Sequence, residues 1–300
     1  MALIFDLNVE ERFSLSEYVA FVIDNVDVRD FDSLAESGRA LRALANDREF
    51  LLDRYHEELK ALYDTSSQNT LTPQSVVLVQ QEKFFVRSNI WLPANPDPTQ
   101  FENEKKLYAY DLPHDHNFDF ITVGYAGVGY VTDLYSYDID SVVGYVGEPV
   151  ALENLGRVRL EPGRVMAYRC NRDVHTQYEP EQISVTINLI PSHERLVTSP
   201  QYVFDPERGV IDGGVSDQVG SRLFLLDFFR HMHDENSIEL LETVSRRHPC
   251  PRTSGQALSV LEQLAPAEGD RFRARVERTT LAYSRSDMIH AGHARQRASA

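Results

Sequence analysis

Pro113–Asp138 reads PHDHNFDFITVGYAGVGYVTDLYSYD, and Leu160–Ile190 reads LEPGRVMAYRCNRDVHTQYEPEQISVTINLI. Both stretches are rich in Phe, Tyr, Val, Ile and Thr and are broken by Gly, Asn and Pro, which is strand-and-turn chemistry. His114 and His116 are two apart, so on a strand they point the same way. His175 arrives on a later strand, after the turn at Pro162-Gly163. Three imidazoles that leave one or more positions open can hold a catalytic divalent metal. A lone His-x-His also fits a polar strand end with two exposed rings. The second stretch favours the metal.

Strand signals continue on either side. SVVLVQQEKFFVRSNIWLP at 75–93 precedes the pair, and ANPDPTQFENE at 94–104 reads as a loop. SVVGYVGEPVALENLGRVRLEPG at 141–163 adds short strands, and RVMAYRC and ISVTINLI complete the set. Many short strands without intervening helices imply an antiparallel sandwich or barrel. If His114 and His116 face its interior, so do Phe118, Phe120 and Thr122, while Asp119 faces away. That parity favours three histidines over a two-histidine, one-carboxylate triad, and leaves Asp115 to hydrogen-bond behind the ligands or to cap the turn. Thr186 and Asn188, polar on an apolar strand, either orient a ligand or are satisfied polar core residues.

The chain has 300 residues, a net charge of -16 and two cysteines. The charge argues against nucleic acid and anionic lipid as partners. Two cysteines make no disulfide scaffold, and MALIFDLNVEERFSL is not a signal peptide, so a reducing, cytoplasmic setting is expected. No apolar run approaches the roughly 18 residues of a membrane span. Residues 1–74 read as a helical segment whose first 27 residues resist assignment. Asp30 or Asp32 caps a helix starting near Ser33, Asn46-Asp47 breaks it, and Ser66–Pro73 is a linker. Residues 75–192 form the β domain. Residues 193–300 hold an extended excursion, then one long or two shorter helices over 221–249 and a further pair at 254–266 and 269–284, with Ser254 as a cap. These helices either cover the barrel or make a homodimer contact. Arg271, Arg273, Arg275 and Arg278 read as a solvated helix face, and the tail as frayed. His231 and His233, two apart in a helical setting, do not share a face.

Residues 75–192 resemble the cupin superfamily, and within it the cysteine-dioxygenase-like thiol oxygenases. The first cupin motif puts His-x-His before a glycine-rich hairpin, here His114 and His116 before Gly124, Gly127 and Gly129. The second puts a Pro-Gly turn ahead of one histidine, here Pro162-Gly163 and His175. Thiol oxygenases carry a carboxylate-binding arginine on an early strand, and Arg87 in FVRSNI holds the matching place. The glutamate ligand of other cupins is replaced by Ile121. The cysteine that crosslinks to tyrosine in some thiol dioxygenases is absent. The family's later Ser-x-His-x-Tyr becomes Thr186, Asn188 and Ile190.

The resemblance implies a cupin double-stranded β-helix, a jelly-roll barrel, with N-terminal helices and a C-terminal helical extension. It implies ferrous iron, or another divalent transition metal, on His114, His116 and His175, with dioxygen and a small polar, amino-acid-like or carboxylate-bearing molecule as reactants. Arg87 then binds the carboxylate, bidentately. Tyr178 is the candidate for donating a hydroxyl to the reaction, and Tyr125, Tyr168, Thr186 and Asn188 line the substrate site. A non-catalytic small-ligand sensor and a metal-assisted isomerase or lyase are the competing functions.

Overall fold

The computed structural model describes residues 2–61, 72, 74–192, 199–214 and 218–264. Nearly all of the linker expected over Ser66–Pro73, the helix expected over 269–284 with its arginines, and the tail lie outside the described residues. Two compact units form, Met1–Tyr137 with Leu152–His193, and Asp138–Ala151 with Glu194–Ala300.

The first unit carries nine strands: β1 Leu3–Asp6, β2 Ser75–Gln80, β3 Phe84–Trp91, β4 Phe120–Ala126, β5 Tyr130–Ser136, β6 Glu153–Leu160, β7 Arg164–Tyr168, β8 Asp173–Gln177 and β9 Ser184–Pro191. They make a six-stranded sheet in the order β1-β7-β4-β9-β3-β2 and a three-stranded sheet in the order β6-β5-β8. Neighbours within each sheet run antiparallel. This is the cupin double-stranded β-helix with its helical additions.

Alternation sorts the large sheet's side chains into two cores. Val86, Ile121, Val123, Val165, Ile187 and Leu189 pack outward with Tyr18, Leu34, Leu41 and Leu44. Those residues come from helices α1 Leu15–Asn25, α2 Phe31–Glu36 and α3 Gly38–Ala45, so the N-terminal helices cover the outside of the sheet. Leu34, Leu41 and Leu44 are 0% exposed, and each such side chain contributes about 1.5–3 kcal/mol when fully buried. Trp91, Phe120, Met166, Tyr168 and Ile190 face inward and meet Tyr130, Leu134 and Leu160 of the small sheet. A Cβ on Gly124 would collide with the Glu161 carbonyl oxygen. Glycine there lets the β4 backbone run against the Glu161-Pro162 turn, where Gly163 N–H donates to Gly124 O at 2.8 Å.

Several local expectations hold. Asp30 caps α2, and α3 ends at Ala45, before α4 Phe50–Ala61, so the break falls at Asn46-Asp47. Others are corrected. The unassigned first 27 residues form β1 and α1, the latter opened by a capping box between Ser14 and Glu17. The stretch at 94–104 is no loop. Helix α5 spans Pro98–Tyr108, with the Asp97 carboxylate accepting from the N–H groups of Thr99 and Gln100 and Pro98 in the first turn. A helix therefore does intervene between β3 and β4, and its Phe101 and Tyr108 join the inner core.

In the second unit, β10 Tyr202–Asp205 and β11 Val210–Gly214 form a hairpin. Helices α6 Gln218–Phe228, α7 Glu235–Arg247 and α8 Pro251–Leu264 pack through Leu226, Leu241, Leu258 and Leu261. Asp234 caps α7 and so divides the expected long helix in two. Ser254 lies inside α8 and is not its cap. Among the described residues no helix is long and apolar enough to cross a membrane.

Candidate metal centre

His114 and His116 stand just before β4, in a segment held by the stretch around His175. His114 and His175 form an isolated antiparallel bridge, and the N–H of each donates to the carbonyl of the other at 3.0 Å. His114 Nδ1 lies 2.8 Å from the carbonyl of Leu112. A carbonyl only accepts, so Nδ1 carries the proton and the Nε2 lone pair points into the barrel.

Three rings converge there. His175 Nε2 lies 3.0 Å from His116 Nε2 and 3.3 Å from His114 Nε2. Ligand atoms of the three lie within 4.8 Å of one another, the one such His/Cys/Asp/Glu group among the described residues. Two nitrogens bound about 2.0–2.1 Å from one ion at angles near 90–110° lie about 3.0–3.4 Å apart. The donor set and its spacing therefore fit a divalent metal. His231 and His233 take no part.

The surroundings are buried and aromatic. The His116 ring meets Phe118 at 4.9 Å and Phe120 at 4.8 Å, and His175 meets Tyr168 at 4.8 Å between centroids. Burial lowers the basicity of all three imidazoles, and His116 and His175 fall well below the usual value. For His116, charge on His114, His175 and Arg87 adds to the effect. Neutral rings are the form a metal needs.

Both nearby carboxylates turn elsewhere. Asp115, 0% exposed, accepts from Tyr137 Oη at 2.6 Å and Asn171 Nδ2 at 3.0 Å. Asn171 N–H in turn donates to His116 O at 2.7 Å. The carboxylate thus ties the His-x-His segment to the β7–β8 turn. Asp119 accepts from the N–H of Cys170 at 2.7 Å.

Arg87 pairs with Asn188 across β3 and β9, and Asn188 with Thr122 across β9 and β4. It shares a face with Phe85 and Trp91, both packed in the inner cluster, and so points inward. Its Nε is buried without a hydrogen-bond partner, and among the described residues it forms no ion pair. Burial lowers its pKa to about 10. Tyr168 also lies inside. Thr186 Oγ1 accepts from Trp91 Nε1 at 3.1 Å, and Asn188 Oδ1 accepts from Thr122 Oγ1 at 2.7 Å, so both interior polar residues have protein partners.

Two expected site residues are not brought to the centre. Tyr125 lies on the helix-covered face, where its hydroxyl donates to the Asp47 carbonyl at 2.9 Å and its ring meets Phe50. Tyr178 lies on the outer face of the small sheet. Its hydroxyl donates to Asp133 Oδ2 at 2.7 Å beneath the Arg157 guanidinium, in a groove shared with Arg159. Parity accounts for both placements: Tyr178 is three residues from His175 and Tyr125 five from Phe120, and an odd step reverses the face. The same rule reveals a residue the sequence reading passed over. Gln177, two beyond His175, shares its face, and Tyr130 faces it from β5.

The fold and the three imidazoles define a cupin-type barrel with a candidate metal centre. No family model matches the sequence, and no curated protein matches it. Solved structures similar to it include a hydroquinone 1,2-dioxygenase in complex with Cd2+ and 4-hydroxybenzonitrile, at 13% identity over 43% of this chain and 68% of that one, with a TM-score of 0.26. A cupin-superfamily sugar phosphate isomerase from Silicibacter pomeroyi matches at 14% over 44% of this chain and 64% of that one, TM-score 0.27. A salicylate 1,2-dioxygenase from Pseudaminobacter salicylatoxidans matches at 10% over 47% of this chain and 33% of that one, TM-score 0.26. Strand order and register, not these likenesses, define the fold here.

Proposed function

We propose that the protein is an iron-dependent oxygenase acting on a small carboxylate-bearing, amino-acid-like molecule. The observation that carries it is the convergence of three Nε2 atoms in a barrel that also holds an inward-facing Arg87, whose Nε has no hydrogen-bond partner among the described residues. His114, His116 and His175 would hold the ion. Bound ferrous iron supplies the one-electron chemistry by which dioxygen reacts with an organic molecule. The chain supplies the rest. Arg87 forks onto the substrate carboxylate, which relieves its burial without a counter-charge. Phe118, Phe120 and Tyr168 keep bulk water from the rings. Leu112 fixes the His114 tautomer. The early-strand arginine shared with thiol oxygenases supports the carboxylate, while Asn188 and Ile190 stand where that family keeps a histidine and a tyrosine, so the reacting group need not be a thiol.

The test is anaerobic reconstitution with Fe(II), followed by oxygen-electrode measurements over a panel of small amino, hydroxy, keto and mercapto acids. One carboxylate is expected to drive stoichiometric oxygen uptake, lost in His116→Ala. Conversion under strict anaerobiosis would make the protein an isomerase or lyase instead. Stoichiometric capture of a ligand without any transition metal would make it a sensor.

A further inference from the structure

We infer that Gln177 is a fourth protein ligand of this centre, its side-chain oxygen joining the three imidazoles. The inference rests on the metal reading above and adds a donor to it.

Alternation along β8 puts His175 and Gln177 side by side on the inner face. The Gln177 side-chain nitrogen lies 3.0 Å from His175 Nε2 and 3.2 Å from His175 Nδ1. The first distance equals that from His175 Nε2 to His116 Nε2, and is shorter than that to His114 Nε2. The tip of the amide therefore stands as close to His175 Nε2 as His116 Nε2 does. Gln177 is 5% exposed, and its Oε1 is buried without a hydrogen-bond partner. No protein donor among the described residues therefore holds the amide oxygen where it lies.

A half-turn of the amide plane exchanges its oxygen and nitrogen. With the His175 Nε2 lone pair committed to a cation, an NH2 group at that position would have no acceptor on the ring and would face positive charge. An oxygen there meets the cation with its lone pairs. Tyr130 hydrogen-bonds the same amide, and its O–H can donate to an oxygen as readily as its oxygen accepts from the nitrogen. Carboxamide oxygen is a competent ligand for divalent ions, and it is neutral. The resulting set of three nitrogens and one oxygen leaves the full charge of the ion uncompensated by protein. It would also occupy a position that three histidines alone leave to other ligands.

The probe is Co(II), followed by its visible absorption, by X-ray absorption and by competition with a chromophoric chelator. Wild type, Gln177→Ala, Gln177→Glu and the outer-face control Tyr178→Phe are compared, with thermal melts of the metal-free proteins. Gln177→Ala is expected to lower Co(II) affinity at least roughly tenfold, the scale on which even supporting groups act, and to lose one oxygen from the first shell with a shifted absorption band. Gln177→Glu, which carries an anionic oxygen to the same place, is expected to bind at least as tightly as wild type. An unchanged affinity and spectrum in Gln177→Ala, with Co(II) lost in His175→Ala, overturns the ligand role of Gln177 alone. Absence of Co(II) binding in wild type overturns the three-histidine centre and this inference with it.

Discussion

His114 and His175 hold each other through the main chain, each N–H donating to the other's carbonyl at 3.0 Å. Two imidazoles 61 residues apart in the chain are thus set in register by backbone, and their rings are left to serve the candidate metal centre. Alanine at either position keeps the bridge. His114→Ala and His175→Ala are expected to retain wild-type circular dichroism and each to lose stoichiometric Fe(II) or Co(II) after dialysis, read by elemental analysis. Full metal content in either variant would show that its ring is not a ligand.

Asp115 supports the same segment from behind. Removing its carboxylate leaves the Tyr137 hydroxyl and the Asn171 amide without the acceptor they share. Asp115→Ala is expected to cost about 1.5–3 kcal/mol in urea unfolding, the range for hydrogen bonds to a charged group. It should also weaken metal binding roughly 10–100-fold, as loss of ligand-orienting groups does. A variant that loses stability but binds metal as wild type does would confine Asp115 to the fold.

Much of the barrel and the grouping of three histidines are legible in the sequence, because both are written in short-range patterns. Two-residue alternation and glycine turns mark strands, and His-x-His with a later histidine marks the cluster. What failed was geometry that depends on pairing. The facing of Arg87 depends on pairing, since a single bulge would reverse it; β3 runs against β9 without a break from Phe84 to Trp91. Tyr125 and Tyr178 lie near the histidine segments in sequence, but their odd spacing from Phe120 and His175 places them on the other face. Pro96 and Pro98 close together suggest a loop, although an Asp cap with proline in the first turn is a helix start. Gln177 went unnoticed because a neutral amide is not among the usual ligand types, and only the pairing of β5 with β8 brings Tyr130 over it.

Tyr178 gives a direct check on that parity. Its hydroxyl is engaged by Asp133, whose carboxylate Arg157 holds below the usual range, and Tyr178 itself is pushed up to about 12 by burial and by that same carboxylate. Tyr178→Phe is expected to leave metal affinity and oxygen uptake unchanged. Its cost in stability should be within about 1 kcal/mol, the net value of one partly exposed hydrogen bond. A tenfold fall in turnover would return Tyr178 to the reaction.

Acid should unfold the metal-free barrel through its own ligands. Burial lowers the pKa of His114, His116 and His175 from 6.5. Above that value both folded and unfolded chains carry neutral rings and the three contribute no pH dependence. Below it the unfolded chain binds protons that the folded barrel refuses, so stability falls as pH drops through 6 and onward until the folded rings titrate. Urea midpoints of metal-free protein between pH 8 and pH 5 should be flat, then decline, and the decline should be shallower in His175→Gln. An equal slope in that variant would assign the acid sensitivity to other groups.

Arg87 decides the substrate class. Its guanidinium faces inward beside the rings, is lowered to about 10 by burial and has no counter-charge among the described residues. A charge kept in that state destabilises the empty protein, and a carboxylate ligand would relieve it. Arg87→Met is therefore expected to raise the stability of the ligand-free protein, by about 1 kcal/mol or more. Arg87→Lys keeps the charge but not the fork, and is expected to weaken binding of a carboxylate by roughly 1–3 kcal/mol. Both variants should bind metal as wild type does. Isothermal titration of small amino and keto acids at matched metal occupancy reads the second effect, and urea unfolding reads the first. Equal carboxylate affinity in wild type and Arg87→Lys would remove the clamp, and with it the reason to expect an amino-acid-like substrate.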